Sequence, residues 1–234
     1  MFFFDPLYFL FIAPAVLLGL FAQWRIHSAY GSGQKIATRM TGADAARAML
    51  QAAGLYNVGV EQTGGRLSDH YDPRQKVLRL SREVYHGYTA SAVGIAAHEA
   101  GHALQDAKNY LPLVVRNAAV PAAGIGSQMG VLMLIGGMIL TGLEFAFGPI
   151  VFLAGIVLFG FVVFFQVVNL PVEFDASSRA RGELLSMGIL TEREMPYVRA
   201  VLNAAALTYV AATLQAILTL LYYILRFSQM QSRD

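Results

Sequence analysis

Of 234 residues, 56% are hydrophobic and only 14% charged, with a net charge of +2 and a mean hydropathy of +0.51. A soluble domain carries about a quarter of its residues as Asp, Glu, Lys or Arg, so this chain is built for a bilayer, and its small, dispersed positive charge gives no footprint for nucleic acid. With no cysteine, disulfides and thiolate metal sites are excluded, and any metal must be held by His, Asp or Glu.

The first uninterrupted apolar run is 7–24. Only Asp5 precedes it as a charge and no small-x-small cleavage site follows, so it reads as an uncleaved anchor rather than a signal peptide. A flexible Ser-Gly stretch, 28–33, comes next. Thr41 and Asp44 form a capping box for a helix with an apolar stripe of Ala46, Met49, Leu50 and Ala53, stopped by Gly54. Residues 58–60 and 77–80 read as short strands, with a turn at Gly64-Gly65. A helix over 90–106 carries Val93, Ala96, Ala97, Ala100 and Leu104 on its apolar face and is ended by Pro112. Apolar runs at 118–142 and 146–170 follow, separated only by a turn around Glu144. Within the first of them, Gly126-x-x-x-Gly130 suits close packing in a bundle better than dimerisation. A weaker fourth run spans 204–225. At 1.5 Å per residue, each run can cross about 30 Å of hydrocarbon.

Basic residues set the orientation. Arg25, Lys35 and Arg39 follow run one, and Lys108 and Arg116 precede run two. Arg179 and Arg181 follow run three, and Arg193 and Arg199 precede run four. The positive-inside rule therefore puts 25–117 and 171–203 in the cytoplasm and the N-terminus outside, in a multi-pass protein of the cell membrane. Arg226 and Arg233 weigh against a full fourth crossing. Thr208, Thr213, Gln215 and Thr219 leave open that this run packs inside the bundle or dips.

The chemistry concentrates in His98-Glu99-Ala100-Gly101-His102. Histidines four apart project from one helical face and can grip one metal ion, with the glutamate between them placed to deprotonate a water. Catalytic zinc keeps three protein ligands, so a third is needed on the same side of the membrane. Runs two and three form a hairpin, and the first acidic residue to emerge after it is Glu173, the expected third ligand. Asp175 is the runner-up, although on a helix it points about 200° away from Glu173. Asp106 is placed to orient a ligand histidine or to face solvent. His70 and Asp72 read as a surface turn, with His70 as an alternative oxyanion donor or substitute ligand. His27 and His86 read as ordinary surface residues.

Three segments carry a family resemblance: Asp69-His70-Tyr71-Asp72-Pro73, Ala96-Ala97-His98-Glu99-Ala100-Gly101-His102-Ala103-Leu104-Gln105, and Leu170-Pro171-Val172-Glu173-Phe174-Asp175-Ala176-Ser177. Together with Val77-Leu78-Arg79-Leu80-Ser81, they make the chain resemble the YugP-type neutral zinc metallopeptidases of bacterial membranes. The resemblance covers nearly the whole chain. It implies one membrane-embedded peptidase domain, 1–234, of about four transmembrane helices with a small α+β zincin-like cap, in which a downstream glutamate completes the His-Glu-His set. In the prenyl-protein-processing membrane peptidases, an aspartate four residues after that glutamate supports a metal histidine. Here that position is Ser177, which leaves Asp175 or Asp106 for the role.

The expected function is thus zinc-dependent hydrolysis of protein or peptide substrates, with Zn²⁺ on His98, His102 and Glu173 and Glu99 as the base. His70, Tyr85 and Arg179 are candidate oxyanion donors, and strand 77–80 is a candidate for pairing with extended substrate. The competing reading is a metal-binding, non-proteolytic membrane scaffold or chaperone-like protein. A metal carrier is disfavoured because 118–170 contains a single ionisable residue, Glu144, at the turn. A site-two-type intramembrane protease is disfavoured by the charges flanking 90–106. The oligomeric state is not legible.

Overall fold

A computed structural model describes residues 5–65 and 68–231. Four stretches are long and apolar enough to cross a membrane: Pro6–Gly33, Leu111–Gly142, Gly148–Ser186 and Met195–Gln231. Each is longer than the run expected there; three contain their run whole, and the third in chain order starts at Gly148, two residues into the expected 146–170. The chain forms two compact units.

The first unit holds residues 1–20, 115–170 and 209–234, and contains helices and no strand among the described residues. Here lie the start of α1 (Pro6–Gly33), most of α5 (Leu111–Ile125), a π-helical stretch at Gly126–Gly130, and α6 (Val131–Gly142). The first part of α7 (Gly148–Ser186) and the last part of α8 (Met195–Gln231) complete it. Any side chain at Gly126 would collide with the Leu158 carbonyl of α7, and one at Gly130 would crowd the Phe159 amide. The Gly-x-x-x-Gly pair therefore serves packing inside the bundle. Thr208 donates to the Ala205 carbonyl and Thr213 to the Tyr209 carbonyl, so these hydroxyls are satisfied by their own helix and do not bar it from the bilayer. At the chain ends, Asp5 accepts from the Tyr222 hydroxyl at 2.6 Å and faces Arg226 at 3.6 Å. Arg226 is thus charge-matched beside the N-terminus, which removes its weight against a fourth crossing. Arg233 lies outside the described residues.

The second unit holds residues 21–114 and 171–208. The stretch 28–33, expected to be flexible, instead finishes α1 as helix, and Ser91 donates to the Tyr30 carbonyl there. α2 (Gly42–Ala52) is capped as expected, the Thr41 hydroxyl accepting from the Asp44 amide at 3.0 Å. A three-stranded sheet follows, β1 (Gly59–Thr63), β2 (His70–Asp72) and β3 (Val77–Ser81), in the order β1-β3-β2. β3 is central, parallel to β1 and antiparallel to β2. Strand 77–80 therefore cannot pair with a substrate, because both its edges are already bonded. A single turn, α3 (Arg82–Tyr85), leads to α4 (Ala90–Ala107), whose first amides are capped by Thr89. α4 ends because Asn109 turns left-handed, at φ 49°. Pro112 does not stop it, and instead sits in the first turn of α5, where a missing amide hydrogen costs nothing.

The larger departure is α7. The sequence suggests that the membrane helix ends at Leu170, yet it continues through Pro171 to Ser186. Val172, Ala176, Ala180 and Leu184 recur every four residues and are fully buried, so one apolar stripe extends the helix over the core of the second unit. Its contact with α4 is intimate. A Cβ on Gly101 would stand 2.6 Å from the Ala176 carbonyl oxygen, so the two backbones touch where only hydrogen fits.

Two glycines separate this contact from helix propensity. Gly101→Ala should destabilise the protein by about 1–3 kcal/mol, because α7 must move away. Gly182→Ala, with open space around its Cβ, should stabilise it by roughly 0.5–1 kcal/mol. Thermal unfolding in detergent checks both signs.

Candidate metal centre

α4 is buried along most of its length, which makes its polar residues costly unless they have partners. His98 and His102 lie one turn apart, ring centroids 4.7 Å from each other. Facing them from α7 is Glu173, 5% exposed. Its Oε2 lies 3.2 Å from His98 Nε2 and 3.8 Å from His102 Nε2. One ligand atom from each of the three falls within 4.8 Å of the others. That buried oxygen makes no aligned hydrogen bond. A donor set of two imidazole nitrogens and a buried, unsatisfied carboxylate oxygen suits a divalent cation such as zinc.

The electrostatics agree. The Glu173 carboxylate is buried, and the His98 and His102 imidazoles face it. Burial alone would pull the His102 imidazole down, yet Glu173, Glu99 and Gln105 together leave it raised. The space between these side chains favours positive charge, which a proton or a metal ion can supply.

The far sides of both rings are also occupied. His98 Nδ1 lies 3.1 Å from Ser177 Oγ, and His102 Nδ1 lies 3.0 Å from Gln105 Oε1. Both Nε2 atoms are thereby left to face Glu173. Ser177 thus contacts a histidine directly, in the role expected of Asp175 or Asp106. Glu99, 9% exposed, projects from the same helix. Asp69 is close enough for Glu99 to influence it. Burial pushes the Asp69 carboxyl up, hydrogen bonds from the Ser81 amide and hydroxyl oppose that, and the charge of Glu99 adds to the rise.

Other expected participants are engaged elsewhere. Asp175 accepts from Gln105 Nε2 at 2.8 Å and from Arg179 Nε at 2.5 Å, so it braces the centre and does not join it. Asp106 accepts from the Tyr71 hydroxyl and Lys76, and touches no histidine. Tyr85 is tied to Arg47, and Arg179 lies over the Tyr110 ring. His70 is exposed on β2, its Nδ1 held at the Ser68 carbonyl. Asp72 caps the Arg74 and Gln75 amides and pairs with Arg79. His86 meets Gln62, and His27 is an exposed residue of α1. The sequence reading missed Gln105 and Asp69. Gln105 could have been noticed as the one polar residue three positions after His102, on the ligand face of the helix.

Four candidate membrane helices and a buried His-His-Glu cluster define the class: a membrane protein with a candidate metal centre. The chain belongs to the family described as "Putative neutral zinc metallopeptidase", whose model matches residues 8–228. It is 42% identical over 222 residues to a Bacillus subtilis (strain 168) protein named "Putative membrane protease YugP", an alignment covering 94% of this chain and 96% of that one. No solved structure matches the chain.

Removing the carboxylate that faces both imidazoles tests the cluster. In Glu173→Ala, bound zinc per purified chain should fall on the order of tenfold or more. Wild-type zinc content would take Glu173 out of the centre.

Proposed function

We propose that this protein is a zinc-dependent membrane endopeptidase, one functional unit with a zincin-like cap, whose active site faces the cytoplasm. The reading rests on one observation above all, the convergence of His98, His102 and Glu173 beside the buried Glu99. Zinc on those three residues would make water nucleophilic at neutral pH and polarise a scissile carbonyl.

The chain's own groups do the rest. Ser177 and Gln105 occupy the Nδ1 atoms, so both imidazoles present Nε2 inward. Glu99, in the same helical turn as the ligands but outside the cluster, takes the proton from the attacking water and delivers it to the leaving amine. Asp69, held at the Ser81 amide and hydroxyl, places a second acidic group near Glu99. An extended peptide has a sheet edge available at β2, which packs against α4 and has β3 only on its inner side. The basic residues flanking the four runs support the cytoplasmic orientation.

A non-proteolytic metal-binding scaffold explains the ligands but not Glu99. Burying a carboxylate that binds no metal is a cost without a purpose in that reading.

Glu99→Gln separates the two. It should lower peptide cleavage by about 10²–10⁴-fold while zinc content stays at the wild-type level. Casein or peptide cleavage measured alongside metal analysis gives the answer, and an active Glu99→Gln protein would refute the assigned base. A chelator should likewise stop cleavage by the wild type, and added zinc should restore it.

A further inference from the structure

Gln105 is 0% exposed and sits three residues beyond His102 on α4. A buried carboxamide must find partners for one acceptor and two donors. Its surroundings leave a single solution. The Val172 carbonyl oxygen and the Asp175 carboxylate both lie 2.8 Å from the side-chain nitrogen. Asp175 is itself paired with Arg179, so both neighbours are acceptors, and the NH₂ end must face them. The oxygen end must then face His102 Nδ1, at 3.0 Å. An oxygen can only accept, so Nδ1 must carry the hydrogen, and the lone pair of the ring is left on Nε2, the atom that faces Glu173.

We propose that Gln105 is a positioning residue that acts in two directions at once: it fixes the metal-binding tautomer of His102 and staples α4 to the turn of α7 that carries Glu173. The inference rests on the zinc-centre reading above. It assigns the α4–α7 register at the ligands to an amide clamp whose orientation is dictated by Val172 and Asp175. Val172 is the residue directly before Glu173, so the clamp holds the ligand-bearing backbone itself. The same clamp explains why Asp175, the nearest alternative ligand, stays out of the cluster: its carboxylate is committed to Gln105 and Arg179.

The test uses full-length protein in detergent and measures zinc affinity by competition with a chelator, together with unfolding temperature with and without zinc. Gln105→Met should weaken zinc binding by about 10–100-fold and shrink the zinc-induced rise in unfolding temperature. Packing loss alone would lower the unfolding temperature of the zinc-free and zinc-loaded forms equally and leave that rise intact, and this result would overturn the proposal. Asp175→Ala, at a partly exposed position, removes one of the two enforced acceptors and should weaken zinc binding by about three- to tenfold. If Gln105→Met does not fold, unchanged zinc affinity in Asp175→Ala overturns the proposal by itself. Glu173→Ala keeps the two readings apart. Wild-type zinc affinity in that variant would mean that the centre is wrongly assigned. Lost zinc there, with unaltered affinity in Gln105→Met, would mean that only the clamp is wrong.

Discussion

The contact between α4 and α7 at Gly101 and Ala176 sets everything else in the second unit. Two helix backbones meet there without an intervening side chain, and the histidines on one and the glutamate on the other are brought within reach as a consequence. A methyl group at Gly101 would separate the donors before it altered any of them. The glycine inside His-Glu-Ala-Gly-His is therefore a statement about the neighbouring helix, even though the motif reads as a local one.

Placing charge at such a contact is expensive, and the surrounding residues are arranged to offset the cost. Glu173 is buried, but two imidazoles face it. The imidazoles are buried or nearly so, but each has a neutral partner behind it, a hydroxyl from Ser177 or an amide from Gln105. Asp175, which accepts from Gln105, is matched by Arg179. Neutral bracing leaves Glu173 as the one negative charge among the three residues of the cluster, so a dication held there would keep a net positive charge.

Much of this was legible in the chain. The apolar runs are long and their hydropathy is unambiguous, and the His98–His102 spacing needs only the period of a helix. The hairpin argument led to Glu173 because membrane topology limits where the chain can return. What escaped was either short or non-local. β2 has three residues, too few for an alternating pattern, and a polar sequence that reads as a turn. The extension of α7 was hidden by Pro171, although Val172, Ala176, Ala180 and Leu184 keep the helical period beyond it. Ser177 and His98 are 79 residues apart, and no spacing rule links them. Asp175 and Asp106 attracted attention as carboxylates, whereas the groups behind the histidines proved to be uncharged.

X-ray absorption at the zinc edge, on the detergent-purified full-length protein, tests the central claim most directly. The account predicts one zinc per chain in a first shell of nitrogen and oxygen at about 2.0–2.2 Å, with the outer-ring scattering of two imidazoles. A shell without imidazole scattering, or a protein that retains no zinc after purification in its presence, would contradict it.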